Sequence, residues 1–481
     1  MADIQKKNED YGSGEKKKEK LVLEHTSVNP SGPIHVGRIR NTLLGDSLRR
    51  ILTFSGFEVE THYYVNDVGK QIAIIAQGKQ EKIPLKEDIL SPYPNYKEKK
   101  DFTTLATYVS SNSLFEEDNS FQEKVQSLIQ GAESGNKESL CLLKETASEC
   151  LEGQKEIFDR LDVRFDSFDF ESKYIENESA RKIVERLRKT KYAKEIEGGF
   201  GLDLSDYGIE KRGGATILQR ADGTTVYTAR DLAYHLDKGG QGDRLINVLG
   251  EDHKLQFQEL NTILTEFLDY KTPLEPVHYS FVTFEGTKLS TRKGQTAPVD
   301  VLLDEAEEKA KTEIEKRKIA SPDLAPDIGH GAVKYHILKT NPNKNITFRW
   351  EDALSFEGEA APYIQYMHAR SCRILEKAEE DPTKIKVDEI DTKLDGEEKE
   401  LLKSLAAFPE VSEKSAAQLR PDIMANYLYQ LASNYSRFYK ECRVLEEQEK
   451  VRDRRLLLVD CARIIIETGL SLLGIKAPNR M

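Results

Sequence analysis

The first sustained apolar run in the chain is Leu21–Val22–Leu23, and with no polar residue inside it, it reads as a strand buried on both faces. Asn29, Pro30, Ser31, Gly32 and Pro33 then mark a tight loop. From residue 35 to 55, Ile39, Leu43, Leu44, Leu48, Ile51 and Leu52 recur at helical spacing and share one face. Gly56 ends that helix, and residues 57–65 read as a second strand. Strand, loop, helix and strand in this order begin a βαβ unit and therefore a parallel sheet.

Between about residues 72 and 200 the pattern becomes polar, charge-rich and mostly helical, which predicts an insertion into the sheet. The sheet is expected to resume with a hairpin, strands 215–219 and 224–227 around the Asp222–Gly223 turn. A strand over 245–249, a helix over 254–268 and a strand over 278–284 follow. The remainder is helical in pattern, over 299–317, 327–340, 360–378 and 425–473, with an acidic loop over 382–397. The expected organisation is a disordered polar tail over 1–20, a parallel α/β domain over 21–340 and an all-α domain over 341–481.

Charge narrows the function classes. Of 481 residues, 71 are Lys or Arg and 83 are Asp or Glu, a net charge of −12. The field of the whole molecule repels nucleic acid, so any RNA contact has to come from local basic patches. No stretch reaches the roughly 18 apolar residues of a spanning helix, and residues 1–20 lack the apolar core of a secretory signal. The five cysteines show no C-x-x-C spacing, which excludes a disulfide scaffold and a Cys-rich zinc site and makes the cytoplasm the expected compartment.

Two loops carry candidate chemistry. Pro33–Ile34–His35–Val36–Gly37–Arg38 lies between strand and helix, where free N–H groups and the positive end of the helix dipole suit a phosphate. Gly37 would let a flat base approach the backbone, and His35 and Arg38 supply donors. Far downstream, Lys288–Leu289–Ser290–Thr291–Arg292–Lys293–Gly294 follows a predicted strand and has the makeup of a phosphate clamp. Each alone is also compatible with a plain helix start or a basic surface loop.

Together these loops resemble the HIGH and KMSKS signatures of class I aminoacyl-tRNA synthetases, with Arg38 in place of the usual final His. The stretch from Glu24 to Pro30, Asn66 to Gln71, and Tyr227–Thr228–Ala229–Arg230–Asp231 are similar to arginyl-tRNA synthetases in particular. That resemblance implies a Rossmann-like catalytic domain with a helical insertion, followed by an α-helical anticodon-binding domain. It implies catalytic roles for His35, Arg38, Lys288 and Arg292, and ATP binding by Pro33, His35, Gly37, Arg38, Gly250, Asp252, His253, Lys288 and Ser290. Glu24, Ser27 and Asn29 match the residues that hold the α-amino and carboxylate ends of arginine, and Tyr227 and Asp231 those that hold the guanidinium. A planar cation with five donors does call for a carboxylate and an aromatic wall. On residue type alone, Asp231 is equally a helix N-terminal carboxylate and Asp252 a helix cap.

Tyr363, Tyr366 and Arg370, then Tyr435 and Arg437, and finally Met481 at the family-like C-terminus, match its tRNA-contacting region. Stacking on bases and packing into a bundle both remain open for these rings. The implied activity is an arginine–tRNA ligase using L-arginine, ATP with Mg²⁺ on its phosphates, and tRNA(Arg), with tRNA required for the first step. No protein-bound zinc and no membrane are expected, and a monomer is. Arginyl-tRNA synthetases usually carry an extra N-terminal domain, and with twenty polar residues before the first strand the expectation is a form lacking it. The rival readings are a paralogue that arginylates another acceptor and a non-catalytic tRNA-binding relative.

Overall fold

Leu21, Val22 and Leu23 are completely buried, as a central strand covered on both faces requires. In the computed structural model they belong to β1 (Lys20–Glu24). The structure describes all residues except 87, 197, 211–212, 286–296, 379–380, 386, 388–389 and 391–392. The chain forms two compact units, one of Glu19–Asn41 with Glu60–His278, the other of Met1–Lys18, Thr42–Val59 and Tyr279–Met481.

The first of these is built on a sheet. Its strands after β1 are β2 (Glu58–Val65), β3 (Ser167–Phe170), β4 (Ala193–Ile196), β5 (Gly199–Leu202), β6 (Thr216–Arg220), β7 (Arg244–Gly250) and β8 (Leu274–Tyr279). The main sheet has the order β3-β2-β1-β7-β8, with β1 parallel to β7 and β2 parallel to β3. Strand order reverses direction between β1 and β7, the place where parallel sheets open a crevice at their carboxyl ends. Leu232, Ala233, Leu260, Ile263 and Leu264 of the helices Tyr227–Gly239 and Lys254–Phe267 pack with Val22 and Leu245 of the sheet.

The insertion supplies the helices Lys70–Gln80, Lys100–Glu117, Asn119–Glu133 and Lys137–Arg160, with a core that includes Ile72, Ile75, Phe121, Val125 and Leu143. Two expectations need correction here. β3 lies inside the range assigned to the insertion yet is an edge strand of the main sheet. It was hidden because it has four residues and every one is only half-buried. The hairpin around Asp222–Gly223 does not rejoin the main sheet: β6 pairs with β5 in a separate three-stranded sheet, β4-β5-β6. Gly223 does take the positive φ of 86° that such a turn needs, but the return side pairs briefly, Thr224 and Val226 bonding to Arg220 and Leu218 around the Gln219–Thr225 bridge, before Tyr227 starts a helix.

In the other unit, β9 (Val282–Phe284) pairs in parallel with β10 (Ile346–Phe348), so the strand expected over 278–284 is two strands in different sheets. Compactness groups the helices Val299–Arg317 and Ala325–Leu338 with the later ones, Ala361–Ala378, Gly396–Ala406, Phe408–Ala417, Pro421–Glu441 and Glu449–Leu472. Met424, Leu428, Leu431, Leu457, Leu458 and Ile465 are fully buried among these.

Residues 1–20 correct the expectation of a disordered tail. Ala2–Lys7 is a helix whose Ile4 is buried, and Gln5 Nε2 donates to the Pro382 carbonyl at 3.0 Å. Tyr11 stacks on Phe408, and the amides of Gly14 and Lys17 donate to the carbonyls of Phe54 and Gly56 at 2.9 and 2.7 Å. Composition missed this because a few anchors and backbone pairing, rather than apolar content, order the segment.

Candidate active site

The loop leaving β1 is held in an unusual backbone path. Thr26 and Ser27 both have positive φ, 71° and 44°, a region that a β-branched residue rarely enters. Neighbours hold it there. Asn41 Oδ1 accepts from the Thr26 amide at 2.8 Å while its Nδ2 donates to the Val248 carbonyl on β7 at 3.1 Å. Ser27 Oγ accepts from the Tyr64 amide at 3.1 Å, and the Tyr63 hydroxyl accepts from the Val28 amide at 3.0 Å. Asn29 Nδ2 donates to Gln71 at 3.3 Å on the exposed rim.

The loop then delivers Pro33 and His35 to a short 3₁₀ turn, Val36–Arg38, that feeds the helix Ile39–Phe54. A Cβ on Gly37 would lie 3.1 Å from the His35 ring, so glycine lets that ring fold over the turn. His35 Nδ1 is buried and has no hydrogen-bond partner among the described residues. Burial, then the nearby Arg38 charge, lowers the His35 pKa. A half-buried neutral imidazole beside a permanent cation can donate to a phosphate without adding a second full charge.

Across the strand-order reversal, β7 ends in Gly250 and the turn Glu251–His253. A Cβ on Gly250 would sit 2.3 Å from Asp252 Oδ1. Asp252 and His253 are partly exposed, 3.6 Å apart. The capping alternative for Asp252 finds no support, since the N-cap positions of the two elements that follow β7 are Gly250 and His253. Glu24 and Gly250 thus end two adjacent parallel strands, and His35, Arg38, Asp252 and His253 follow them.

Tyr227 opens the helix Tyr227–Gly239 and is 51% exposed. Asp231 stands one turn in, with no acidic residue in the first turn, so the dipole reading of Asp231 loses its basis. Its Oδ1 lies 3.0 Å from His235 Nδ1. Glu24 pairs with the buried Lys238 at 2.5 Å, and its other oxygen accepts from Ser27 Oγ at 3.3 Å. Glu171, at the end of β3, is buried against Arg230, and burial raises its pKa to about 7 against the opposing Arg230 charge. Sequence reasoning missed Glu171, His235, Lys238 and Asn247. The available signal was His235 and Lys238 falling among the buried positions of an amphipathic helix.

Lys288, Ser290 and Arg292 lie outside the described residues. In the helical unit, Tyr366 accepts from Arg370 at 2.8 Å, and the Arg370 guanidinium lies over the Tyr366 and Tyr439 rings, 4.7 and 4.4 Å from their centroids. Tyr363 packs near Tyr429, Arg437 is exposed and Met481 is partly so. Tyr435 is corrected: it is fully buried and has no face for a base. It continues the core stripe of Leu428, Leu431 and Ala432 at helical spacing. The final residues are strapped down by Gln365, which donates to the Lys476 carbonyl at 2.9 Å, and by His368 Nδ1, 3.0 Å from the Pro478 carbonyl.

Comparison with known proteins gives a consistent result. The profile described as tRNA synthetases class I (R), catalytic domain, matches residues 1–350, and that described as DALR anticodon binding domain matches residues 364–481. The arginine–tRNA ligase of Methanocaldococcus jannaschii is 42% identical over 491 residues, covering 100% of this chain and 83% of the relative. That of Methanothermobacter thermautotrophicus is 41% identical over 481 residues, covering 98% and 82%. The structure of Thermus thermophilus arginyl-tRNA synthetase superposes with a TM-score of 0.81 at 26% identity, covering 99% of this chain and 86% of that one.

Proposed function

This chain belongs to the class I arginyl-tRNA synthetases, and from that membership we propose that it activates L-arginine with ATP and transfers it to the 3′ end of tRNA(Arg). The observation that supports this most is that the segment carrying His35 and Arg38 and the turn carrying Asp252 and His253 leave the carboxyl ends of adjacent parallel strands, β1 and β7, where strand order reverses. The arginine carboxylate attacks the α-phosphorus of ATP, forming arginyl-adenylate and releasing pyrophosphate. The 3′-terminal ribose hydroxyl of tRNA then attacks the activated carbonyl and AMP leaves. No covalent enzyme intermediate is needed, so the protein contributes position and charge.

In this reading His35 and Arg38, with Lys288 and Arg292, stabilise charge on the transferring phosphate. Pro33, Gly37, Gly250, Asp252, His253 and Ser290 hold the nucleotide. Glu24, Ser27 and Asn29 take the amino-acid end of arginine, and Tyr227 and Asp231 its guanidinium. Mg²⁺ enters on the nucleotide's phosphates and neutralises part of their charge. The one cluster of three metal-type donors among the described residues, Asp395, Glu398 and Cys442, has Glu398 bound by Arg454 and Arg455. Tyr363, Tyr366, Arg370, Arg437 and Met481 meet the tRNA. The enzyme acts as a monomer in the cytoplasm, and no described helix is long and apolar enough to cross a membrane.

Pyrophosphate release with arginine, with and without tRNA(Arg), tests the reading. Release that requires both, together with arginyl-tRNA formation, is expected. Release without any charging of tRNA would point instead to another acceptor, and no arginine-dependent release at all would point to a binding protein.

A further inference from the structure

The helix Tyr227–Gly239 carries more buried polar machinery than holding one carboxylate requires. Lys238 has no exposed surface, a setting in which lysine is almost never found without partners. Its ammonium donates to Glu24 Oε2 at 2.5 Å and to Asn247 Oδ1 at 3.0 Å. With its oxygen so occupied, Asn247 turns Nδ2 toward His235 Nε2, 2.8 Å away. That ring nitrogen therefore accepts, which leaves the proton on Nδ1, 3.0 Å from Asp231 Oδ1 and 2.9 Å from the Asp231 carbonyl. The Lys238 ammonium also approaches that nitrogen, at 3.4 Å, so Asn247 and Lys238 both donate to it and each interior link has one consistent direction.

The two ends differ from the middle. Lys238, Asn247 and His235 are at most 2% exposed, whereas the side chains of Glu24 and Asp231 are 11% and 22% exposed. The frame behind them is stiff. Glu24 and Asn247 are register partners on β1 and β7. Asp231, His235 and Lys238 follow one another along a single helix. The Tyr234 ring covers the Lys238 ammonium at 4.5 Å and stacks on Tyr64 at 4.5 Å.

We infer that Lys238, Asn247 and His235 are positioning residues that hold Glu24 and Asp231 at one separation, so that the site gauges the distance between the two cationic ends of its amino acid. This rests on the reading above in which Glu24 helps to hold the amino-acid end of arginine, where a carboxylate suits the α-ammonium, and Asp231 holds the guanidinium. A chain that is satisfied only in one geometry cannot stretch to follow a longer substrate without losing buried hydrogen bonds. A displacement of about 1 Å at a reacting group costs on the order of a hundredfold in rate. Length selection is thereby built into the protein interior and not into the surface groups that touch the substrate.

The test uses homoarginine, which is one methylene longer than arginine. Asn247→Leu is close in size and removes both of its links. The quantity read is the ratio of the homoarginine inhibition constant to the arginine KM in tRNA charging. The variant should lower that ratio by about tenfold and leave the ATP KM within about twofold. An unchanged ratio, whatever the fall in overall activity, would reduce the three residues to packing and overturn the inference. Asp231→Asn, measured in parallel, separates the premise from the relay: an arginine KM unmoved by that change overturns the assignment of Asp231, and the relay with it. If Asn247→Leu fails to give a folded protein by circular dichroism, His235→Gln reads the same ratio, since it offers Asn247 an acceptor but Asp231 no donor at the δ position.

Discussion

Thr26 and Ser27 sit in a conformation that costs about 1–3 kcal/mol at each residue, and the same loop holds the candidate substrate groups Ser27 and Asn29. Asn41 is the side chain that ties this path to β7, so Asn41→Ala should destabilise the fold by about 1–3 kcal/mol and reduce charging activity more than it alters the ATP KM. Thermal midpoints and substrate-resolved kinetics check both halves. Asp231→Asn should lower kcat/KM for arginine by about a hundredfold or more, through loss of a charge facing a cation. His35 gives the pH prediction. Burial first and Arg38 second lower its pKa below 6.5. The unfolded chain therefore binds more protons in that range, and stability is full above 6.5 and declines as pH falls toward the folded value. The acid limb of kcat/KM for ATP should likewise lie below 6.5, and Arg38→Gln, by removing the second cause, should move it upward. A limb that stays in place in the variant would show that Arg38 does not act on His35.

At the scale of elements, long periodic helices were legible and short or shared strands were not. The face of Ile39, Leu43, Leu44, Leu48, Ile51 and Leu52 announces its helix because one side of it is buried. β3 gives no such signal, and β6 was misassigned because a turn motif identifies a hairpin but not the sheet it joins. The motif loops around Glu24, His35 and Gly250 could be found because their residues match a family pattern, residue type alone leaving a helix start or a cap equally open. Lys238 and Asn247 could not, since their meaning depends on partners more than 200 residues away for one pair and nine for the other. Tyr435 shows the opposite case: it lies in an aromatic–basic cluster that suggests base stacking, yet the helical period it shares with Leu428, Leu431 and Ala432 buries it. His368 offers an element-level test. Burial by itself would lower its pKa, but hydrogen bonding to Cys372 and Glu467 outweighs this and the pKa rises to about 9. Stability from this group is full below 6.5 and is lost as pH rises through about 9. His368→Gln should therefore flatten the fall in thermal midpoint between pH 7 and 10 and loosen the segment at Pro478, as proteolysis of the C-terminus would report.

For the molecule as a whole, a net charge of −12 sets tRNA binding against the general field, so affinity has to come from a few local contacts. Arg437→Ala should then weaken tRNA binding and reduce the slope of log K against log salt by about one unit, and an unchanged slope would remove Arg437 from the contact set. The N-terminal segment bears on a different matter, the order in which the molecule is made. Gln5 bonds to Pro382 and approaches Asp460 at 3.4 Å, a partner 455 positions later in the chain. At roughly 5–20 residues per second, a ribosome needs on the order of 20–90 s to add the residues between them. Met1–Lys18 belongs to the same compact unit as Tyr279–Met481, so its contacts with Pro382, Phe408 and Asp460 cannot form while those residues are still unmade. Residues 1–18 must wait, unprotected, until residues 382–460 have been made, and nascent chains halted before residue 382 should expose them to protease while released chains shield them.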